Sequence, residues 1–228
     1  MNREQAVKIL EGALGKGRKV LSEYESKQIL KACGIPVTRE VLVDHENDVP
    51  QAAAEIGYPL VMKGCSSEIA HKTEKGLIRV DIRTKAEAQA AFREIRHGMA
   101  GHAGGVLVQE MVKGRRELVM GMTRDSQFGP CVMFGLGGIF TEILRDIVFR
   151  KAPFDREDAE AMMQEIRARA ILDAVRGMEA ADRDRLADML IRLGRIGLDF
   201  ESVQEIDLNP VILSGKDPVV VDALIVLA

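Results

Sequence analysis

Cysteine is scarce in this sequence, and its few cysteines form no metal or redox motif. The 228 residues include only three, Cys33, Cys65 and Cys131, an odd number without a C-x-x-C pair. This pattern argues against a disulfide framework and against a structural zinc site, and it favours a reducing compartment. We therefore expect a cytoplasmic protein.

Long apolar runs and a strong net charge are also missing. No apolar run is long enough to span a bilayer, and the N-terminus lacks the apolar segment of a signal peptide. The formal net charge is −3, which gives no reason to expect nucleic acid or an anionic membrane as a partner. With 46% hydrophobic and 29% charged residues, the composition is that of a globular protein with one large domain or two lobes.

Helical and strand patterns alternate along the chain, and several neighbouring strands are typical of hairpins. Two capping boxes, Ser22-x-x-Glu25 and Thr84-x-x-Glu87, mark the start of helices. We expect an α+β protein with two lobes. The predicted helices cover 3–14, 22–33, 47–56, 84–96 and 155–198, and the predicted strands cover 37–43, 60–63, 77–82, 106–109, 117–121 and 130–134.

The segment 202–226 is predicted to form two strands joined by the turn 214–218. Side chains alternate along a strand, so Glu205, Asp207 and Asn209 share one face. The apolar neighbours of these polar residues point to the other face. The first of the two strands therefore has one polar face, on which the side chains carry oxygen atoms.

Asp222 stands alone in the second of these strands, 219–227, which is otherwise apolar. A carboxylate in such surroundings is costly unless another group pairs with it. Asp207, Asn209 and Asp222 together offer hard oxygen ligands on facing strands, which suit Mg²⁺ shared with phosphates. The alternative is an edge hairpin with solvated acids, and this segment alone leaves both interpretations open.

Three further features are compatible with phosphate chemistry, but each also has an ordinary structural explanation. Lys63 ends the apolar strand 60–63 and either points to water or is directed at phosphate from the mouth of a sheet. His71 lies in the polar loop 64–76, where a lone histidine is usually solvated. The glycine cluster 135–138 lets backbone amides approach a phosphate, although it matches neither a Walker A loop nor G-x-G-x-x-G.

The order of these motifs resembles the ATP-grasp fold, in which two α+β lobes hold ATP between them. More closely, the chain is similar to the ATP-grasp β subunit of nucleoside-diphosphate-forming acyl-CoA synthetases, such as ADP-forming acetate–CoA ligase. The resemblance runs from about Val20 to the C-terminus. Five motifs carry it: L-S-E-Y-E-S-K-Q-I-L-K-A-C-G-I-P-V, Y-P-L-V-M-K, H-K-T-E-K-G-L, G-G-I-F-T-E-I-L-R-D-I-V-F-R and E-I-D-L-N-P.

The resemblance implies a nucleotide site for ATP or ADP. A strand lysine would grip phosphate, a hinge of three residues would hydrogen-bond adenine, and an acid would hold ribose. The glycine loop would lie near the phosphates, with an arginine as a charge partner. The implied nucleotide-binding residues are Lys63, Glu110, Met111, Val112, Glu117, Gly137, Gly138, Glu142 and Arg150.

The resemblance also implies the reaction of an acid–thiol ligase, which interconverts acyl-CoA, ADP and phosphate with carboxylic acid, CoA and ATP. His71 would carry the phosphoryl group, because imidazole is a good neutral nucleophile near physiological pH. Asn209 and Asp222 would hold Mg²⁺ on the β- and γ-phosphate oxygens, with Asp207 beside them.

The implied organisation is an ATP-grasp domain over 22–228 that follows an N-terminal helical extension over 1–21. The lid lobe would cover 37–108, and the larger lobe would cover 22–36 plus 109–228. The CoA-binding and ligase domains of the family have no counterpart in this sequence. We therefore expect a separate CoA-binding α subunit in an α₂β₂ assembly, with a fragment of a fused synthetase as the other possibility.

Two other functions are open. A stand-alone ATP-grasp ligase would make an amide through an acyl phosphate, but it would carry a further N-terminal domain and would not need the H-K-T-E motif. A nucleotide-binding regulatory module without catalysis would be supported by loss of Lys63, Asn209 or Asp222, and all three are present.

Overall fold

The computed structural model describes residues 2–69, 76–138 and 145–228. Contacts between residues divide the chain into two compact units. The first unit contains Met1–Lys19, Glu25–Val37 and Val112–Ala228, and the second contains Val20–Tyr24 and Thr38–Met111.

The described residues form six α-helices, two short 3₁₀ helices and ten strands. The α-helices are α1 (Arg3–Leu14), α2 (Glu23–Ala32), α3 (Val49–Ile56), α4 (Lys85–Gly98), α5 (Arg156–Glu165) and α6 (Arg183–Asp199), and the 3₁₀ helices are Glu46–Asp48 and Arg169–Leu172. The strands are β1 (Glu40–Val43), β2 (Leu60–Cys65), β3 (Ile78–Ile82), β4 (Gly105–Glu110), β5 (Glu117–Asp125), β6 (Gly129–Leu136), β7 (Ile147–Lys151), β8 (Val203–Ser214), β9 (Asp217–Val220) and β10 (Leu224–Leu227). Among these residues, no helix combines the length and the apolar character needed to cross a membrane.

The second unit is an antiparallel sheet in the order β1-β4-β2-β3, with α3 and α4 on one face. Leu60, Met62 and Val108 point to this face and form one apolar cluster with Ala53 and Phe92 of the helices. Because side chains alternate, the intervening strand residues point to the opposite face. That opposite face carries Val61, Lys63, Leu107 and Gln109, all of which are buried.

Thr84 caps the start of α4 as predicted, and its hydroxyl accepts a hydrogen bond from the Glu87 amide at 3.2 Å. The return bond of the capping box is shifted by one residue, because the Glu87 carboxylate accepts from the Arg83 amide at 2.7 Å rather than from that of Thr84. The first of these bonds satisfies an amide that has no partner inside the helix. The start of α4 is therefore determined locally by the sequence.

The first unit is an antiparallel sheet in the order β10-β8-β5-β6-β7, with β9 also paired to β8. Helix α6 packs on one face of this sheet, against β5, β6 and β8. Gly197 allows a close approach of α6 to the sheet, because a Cβ atom there would lie 2.7 Å from the Cβ of Pro130 and 3.1 Å from the Met122 sulfur.

Both units combine helices with an antiparallel sheet, so the α+β class predicted from the sequence is confirmed.

Helix α1 is part of the first unit. It buries Ala6, Leu10 and Ala13, and the guanidinium of Arg3 lies 5.8 Å from the centre of the Phe200 ring. The predicted functional division, an extension over 1–21 followed by two lobes, stays a prediction.

The predicted long helix over 155–198 is wrong in its middle. Residues 173–182 contain no helix, and the chain instead makes a tight turn in which Val175 pairs with Met178. The two residues between them, Arg176 and Gly177, have φ values of 49° and 80°. Such left-handed conformations are incompatible with an α-helix, and glycine adopts them readily.

The predicted second strand over 219–227 is also divided, into β9 and β10. The interruption at 221–223 falls where β8 passes Asn209 and Pro210. Proline has no amide hydrogen to donate, so the ladder of hydrogen bonds cannot continue through this point. Asp222 therefore lies in a break of the strand rather than within it.

Arg116 is a buried cation that organises the irregular segment of the first unit. Its guanidinium donates to the carbonyl oxygens of Ile171 at 3.1 Å, Asp173 at 3.2 Å, Glu179 at 2.7 Å and Gly215 at 2.8 Å. Hydrogen bonds from a charged donor are stronger than those between neutral groups. One side chain therefore binds four carbonyls, of which that of Ile171 lies in the short 3₁₀ helix and the other three lie outside the helices and strands.

Replacing Arg116 by Met should lower the free energy of unfolding by roughly 2–4 kcal/mol, because buried carbonyls would lose their donor. Urea unfolding followed by circular dichroism measures this change. The matched control is Arg115→Met, since Arg115 is exposed and a surface substitution should change stability by less than about 0.5 kcal/mol. Equal stability of the two variants would contradict the role assigned to Arg116.

Candidate functional site

A polar surface lies on the face of the first unit's sheet opposite α6. In the strand register, Asp207 of β8 stands between Gly121 of β5 and Leu224 of β10. Paired residues on neighbouring strands point to the same face, and so do alternate residues along one strand. Glu205 and Asn209 therefore share this face with Asp207, as predicted from the sequence.

Asp222 completes the polar surface. Strand β8 pairs with β9 before the break at 221–223 and with β10 after it, and the register is the same in both pairings. Val220 of β9 faces Val211, and Leu224 of β10 faces Asp207. Asp222 consequently falls opposite Asn209. The structure brings the three predicted metal ligands to one place, which we call the acidic face.

Burial of Asp207, reinforced by repulsion from neighbouring carboxylates, is the main electrostatic feature of the acidic face. Burial, together with the charges of Glu205 and Asp222, raises the pKa of Asp207 to about 6. A group in these surroundings is stabilised in its ionised form when a cation binds. Oxygen atoms of two carboxylates and one amide are ligands that suit Mg²⁺.

The acidic face differs in composition from metal sites whose ligands are only carboxylates, imidazoles and thiolates. In the part of the chain that the structure describes, no group of three or more His, Cys, Asp or Glu side chains has the arrangement of a metal site. The acidic face offers two acids and an amide. Such a site leaves coordination positions for oxygen atoms of another molecule.

Glu117 lies on the same face, at the start of β5, beside the glycine cluster. The Gly137 amide donates to the Glu117 carbonyl oxygen at 2.8 Å. A Cβ atom on Gly137 would lie 2.6 Å from backbone atoms of Leu118, and one on Gly138, whose φ is 66°, would collide with the Glu117 carboxylate. Glycine is therefore required here for close packing over Glu117, and the backbone of the loop lies next to that acid.

Arg150 lies on the opposite face of the sheet. It pairs with Val132 in the strand register, and Val132 points toward α6. The Arg150 guanidinium donates to the Glu165 carboxylate of α5 at 2.7 Å and lies 3.7 Å from the Asp158 carboxylate. The structure therefore does not bring Arg150 to the other predicted site residues, because strand alternation directs it away from them.

In the second unit, Lys63 projects from β2 on the face opposite α3 and α4. Its ammonium donates to the Glu23 carboxylate at 2.7 Å, and the two side chains are only 5% and 2% exposed. The predicted position at the end of a strand is wrong, because β2 continues past Lys63 to Cys65. The expectation that it simply points to water is wrong, because it is buried in an ion pair.

The predicted hinge begins at the end of β4. The carboxylate of Glu110 accepts hydrogen bonds from the backbone amide of Arg39 at 2.8 Å and from its guanidinium at 2.9 Å. The Met111 amide donates to the carbonyl oxygen of Pro59 at 3.3 Å. The chain passes from the second unit to the first between Met111 and Val112, so the predicted hinge coincides with a boundary between units.

Two predicted site residues, His71 and Glu142, lie outside the described residues. Their predicted roles stay predictions.

Glu23 is not among the site residues predicted from the sequence. In the sequence it is only part of the predicted capping box that opens α2. The other glutamate of that box, Glu25, forms a bidentate ion pair with Arg18 at 2.6 and 2.8 Å. One local signal was available. Glu23, Lys27 and Leu30 recur at helical spacing and are all buried, and charged residues at core positions of a helix are unusual.

Comparison with known proteins identifies close relatives. The ATP-grasp domain matches residues 12–227. The chain is 41% identical to the beta subunit of acetate–CoA ligase [ADP-forming] II of Pyrococcus furiosus, over 98% of both chains. It is 39% identical to acetate–CoA ligase [ADP-forming] I of Archaeoglobus fulgidus, over 100% of this chain and 34% of that longer protein.

A solved structure is similar over nearly the whole chain. It is acetyl-coenzyme A synthetase 1 of Ca. Korarchaeum cryptofilum in complex with coenzyme A and Mg-AMPPCP, with its phosphohistidine segment pointing towards the nucleotide binding site. The TM-score is 0.88 and the identity is 43%, with 98% of this chain and 100% of that chain covered.

Asp207→Asn should stabilise the metal-free protein above pH 6. The pKa of Asp207 in the folded protein, about 6, is above its ordinary value of 3.8, so the folded state loses stability as pH rises through 6. Asparagine does not ionise. We expect the variant to be more stable by roughly 1–3 kcal/mol at pH 8 and the difference to vanish towards pH 4.

Urea unfolding in EDTA across this pH range measures the difference in stability. Glu201→Gln is the matched control, because Glu201 is exposed and lies in the same unit. A stability difference that is the same at pH 4 and pH 8 would show that Asp207 is not held in a repulsive environment.

Proposed function

Because this chain belongs to the ATP-grasp domain family, we propose that it is the nucleotide-binding subunit of an ADP-forming acyl-CoA synthetase. The reaction interconverts acyl-CoA, ADP and phosphate with a carboxylic acid, CoA and ATP. The observation that carries the proposal is the placement of Asp207, Asn209 and Asp222 on one face, with Glu117 on the same face. The similarity to the beta subunit of an ADP-forming acetate–CoA ligase, over 98% of both chains, supports this class of reaction among those of ATP-grasp proteins.

The acidic face is the proposed metal site. Magnesium suits the oxygen ligands of Asp207, Asn209 and Asp222. Binding of a divalent cation would offset the burial and repulsion that raise the pKa of Asp207. The ion would supply charge neutralisation for the phosphates of the nucleotide. The three side chains would hold the ion on one face of the sheet.

The remaining nucleotide contacts are proposed for each unit by itself. In the first unit, Glu117 binds ribose, and the amides of Gly137 and Gly138 lie next to that acid. In the second unit, Lys63 neutralises charge on the transferred phosphoryl group. The hinge from Glu110 to Val112 binds adenine through its backbone. Glu110 fits this role, because its carboxylate is bonded to Arg39 and leaves recognition of adenine to main-chain atoms.

His71 is the proposed phosphoryl carrier. A ring nitrogen attacks the phosphorus of the acyl phosphate, the bond from phosphorus to the acyl oxygen breaks, and the carboxylate leaves. A β-phosphate oxygen of ADP then attacks the same phosphorus, the P–N bond breaks, and neutral imidazole and ATP result. Imidazole serves both steps because it is nucleophilic without a charge near neutral pH.

The partner is proposed to be a separate CoA-binding α subunit in an α₂β₂ assembly. Two relatives support it, since one is named as a beta subunit and another is a longer protein of which this chain covers 34%. We place the assembly in the cytoplasm, which agrees with three cysteines that are free thiols.

The decisive experiment is phosphorylation of the purified chain by Mg²⁺ and γ-labelled ATP, with and without a CoA-binding α subunit. The label should be acid-labile and base-stable and should map to the peptide that contains His71. His71→Ala is the matched variant, which should still bind Mg·ADP but carry no label. A labelled His71→Ala protein, or a natural protein that stays unlabelled by γ-labelled ATP in the presence of the α subunit, would contradict the relay and favour a stand-alone ligase.

Asp222→Asn should weaken magnesium binding without disturbing the fold, because asparagine keeps the shape of aspartate and loses its charge. We expect the Mg²⁺ concentration at half-saturation of ADP binding to rise roughly tenfold, which corresponds to about 1.4 kcal/mol. Calorimetric titration of ADP at fixed Mg²⁺ concentrations measures it, with Glu201→Gln as the control. An unchanged metal response would assign Asp222 to structure alone.

A further inference from the structure

A buried carboxylate, that of Asp146, lies beside the glycine cluster, and the proposed reaction assigns it no role. Its side chain is only 7% exposed. One carboxylate oxygen accepts a hydrogen bond from the Arg167 amide and the other accepts one from the Ala168 amide, each at 2.7 Å. Burial of a carboxylate is costly unless its oxygens are bonded, and two consecutive amides bond them here. Asp146 therefore attaches the chain that follows α5 to the residue that precedes β7.

The guanidinium of Arg167 adds little to this attachment. Its Nε lies 3.8 Å from the Asp146 carboxylate, and the Arg167 side chain is 83% exposed. An ion pair so open to solvent contributes little. The two main-chain amides therefore hold the carboxylate.

The segment bonded to Asp146 is also held at its other end. It continues into the 3₁₀ helix Arg169–Leu172, and the Arg116 guanidinium donates to two carbonyl oxygens there, at 3.1 and 3.2 Å. Arg116 directly precedes Glu117, the first residue of β5. The segment 167–173 therefore links the start of β5 to the start of β7.

The main chain of Asp146 holds the end of β6, from which the glycine cluster continues. Its carbonyl oxygen accepts a hydrogen bond from the Leu136 amide at 3.2 Å. A Cβ atom on Gly135 would collide with that oxygen, so glycine permits the close approach. Leu136 precedes Gly137 and Gly138 in the chain, so Asp146 fixes the point at which these two glycines leave the sheet.

The two glycines in turn pack against Glu117. The Gly137 amide donates to the Glu117 carbonyl oxygen at 2.8 Å, and a Cβ atom on Gly138 would collide with the Glu117 carboxylate. Contact this close limits the rotamers that the carboxylate can adopt. Through the end of β6, Asp146 therefore influences the orientation of Glu117.

We propose that Asp146 is a positioning residue that orients the Glu117 carboxylate for the ribose hydroxyls of the nucleotide. This inference rests on the proposed function, since it assumes that Glu117 binds ribose. Asp146 acts from behind the site, through main-chain amides, and does not bind the nucleotide. Such support matters because a binding group is effective only when its surroundings hold it in the productive geometry.

The test is the preference of the full chain for Mg·ADP over Mg·2′,3′-dideoxy-ADP, measured by calorimetry. The two nucleotides differ only in the ribose hydroxyls, and the natural protein should prefer ADP by roughly tenfold. In Asp146→Asn, one carboxylate oxygen becomes an NH₂ group, which cannot accept a hydrogen bond from an amide. We expect the preference to fall by roughly fivefold, because the Glu117 carboxylate is no longer held in place.

Ala168→Pro removes the same kind of hydrogen bond from the donor side and leaves Asp146 unchanged. Ala168 has a φ of −80°, which proline can adopt, and proline has no amide hydrogen. This variant should also lower the preference for ADP. A natural preference in either variant, once circular dichroism shows that it is folded, would overturn the inference.

Asp125→Ala is the matched control for a loss of stability. The Asp125 carboxylate also accepts hydrogen bonds from two main-chain amides, those of Gln127 and Phe128, at 2.8 and 2.9 Å. It lies at the opposite end of β5 from Glu117. Asp125→Ala should therefore lower the stability of the same unit, measured by urea unfolding, and keep the natural preference. An equal loss of preference in this control would show that Asp146 has only a structural role.

Glu117→Gln separates this inference from the proposed function. If Glu117→Gln keeps the natural preference for ADP, the assignment of Glu117 to ribose fails, and the role of Asp146 fails with it. If Glu117→Gln loses the preference while Asp146→Asn keeps it, the assignment of Glu117 stands and only the inference about Asp146 is overturned. When both changes are combined, Asp146→Asn should cause no further loss, because the two residues act through one contact with ribose.

Discussion

Strand β8 is paired on both edges, so from Glu205 to Asn209 its alternate side chains are divided between the two faces of the first unit's sheet, up to the register shift opposite Leu118 and Met120. Ile206 and Leu208 face α6 and contribute to the buried core, which directs Glu205, Asp207 and Asn209 to the opposite face. A register shift of one residue would bury these polar groups beneath α6 and expose the apolar ones. Stability of the unit and assembly of its acidic face therefore depend on the same register. Any substitution that preserves the core also preserves the placement of the acids.

The two units treat buried charge in opposite ways. In the first unit, like charges gather around Asp207, and burial together with their repulsion raises the pKa of that group. In the second unit, opposite charges meet in the Lys63–Glu23 pair and neutralise each other within the protein. The first arrangement favours an external cation, because a cation lowers the cost of ionising Asp207. The second has its counter-charge within the same unit.

The fold was largely predictable, because its elements are defined by local patterns. The ends of α1, the Thr84 cap of α4 and the alternation along β8 all agree with the sequence, and the resemblance to the ATP-grasp fold is confirmed. The errors lie where the backbone departs from regular geometry. The sequence predicts helix through the turn at Arg176 and Gly177, because the apolar residues on either side of it keep a helical spacing. It predicts strand through the break around Asp222, because the missing donor belongs to Pro210 on another strand.

The sequence by itself determined which residues share a face of one element, because periods of 2 and 3.6 residues are local properties of the backbone. It also determined the order of the motifs along the chain and, through their resemblance to a family, the predicted ligands. Only the tertiary structure decided which elements lie side by side. It set Asp222 opposite Asn209, turned Arg150 toward α5, and joined Glu23 to Lys63 across 40 residues of sequence. Such pairings depend on strand order and helix docking, which arise from burial of the whole core rather than from any local pattern.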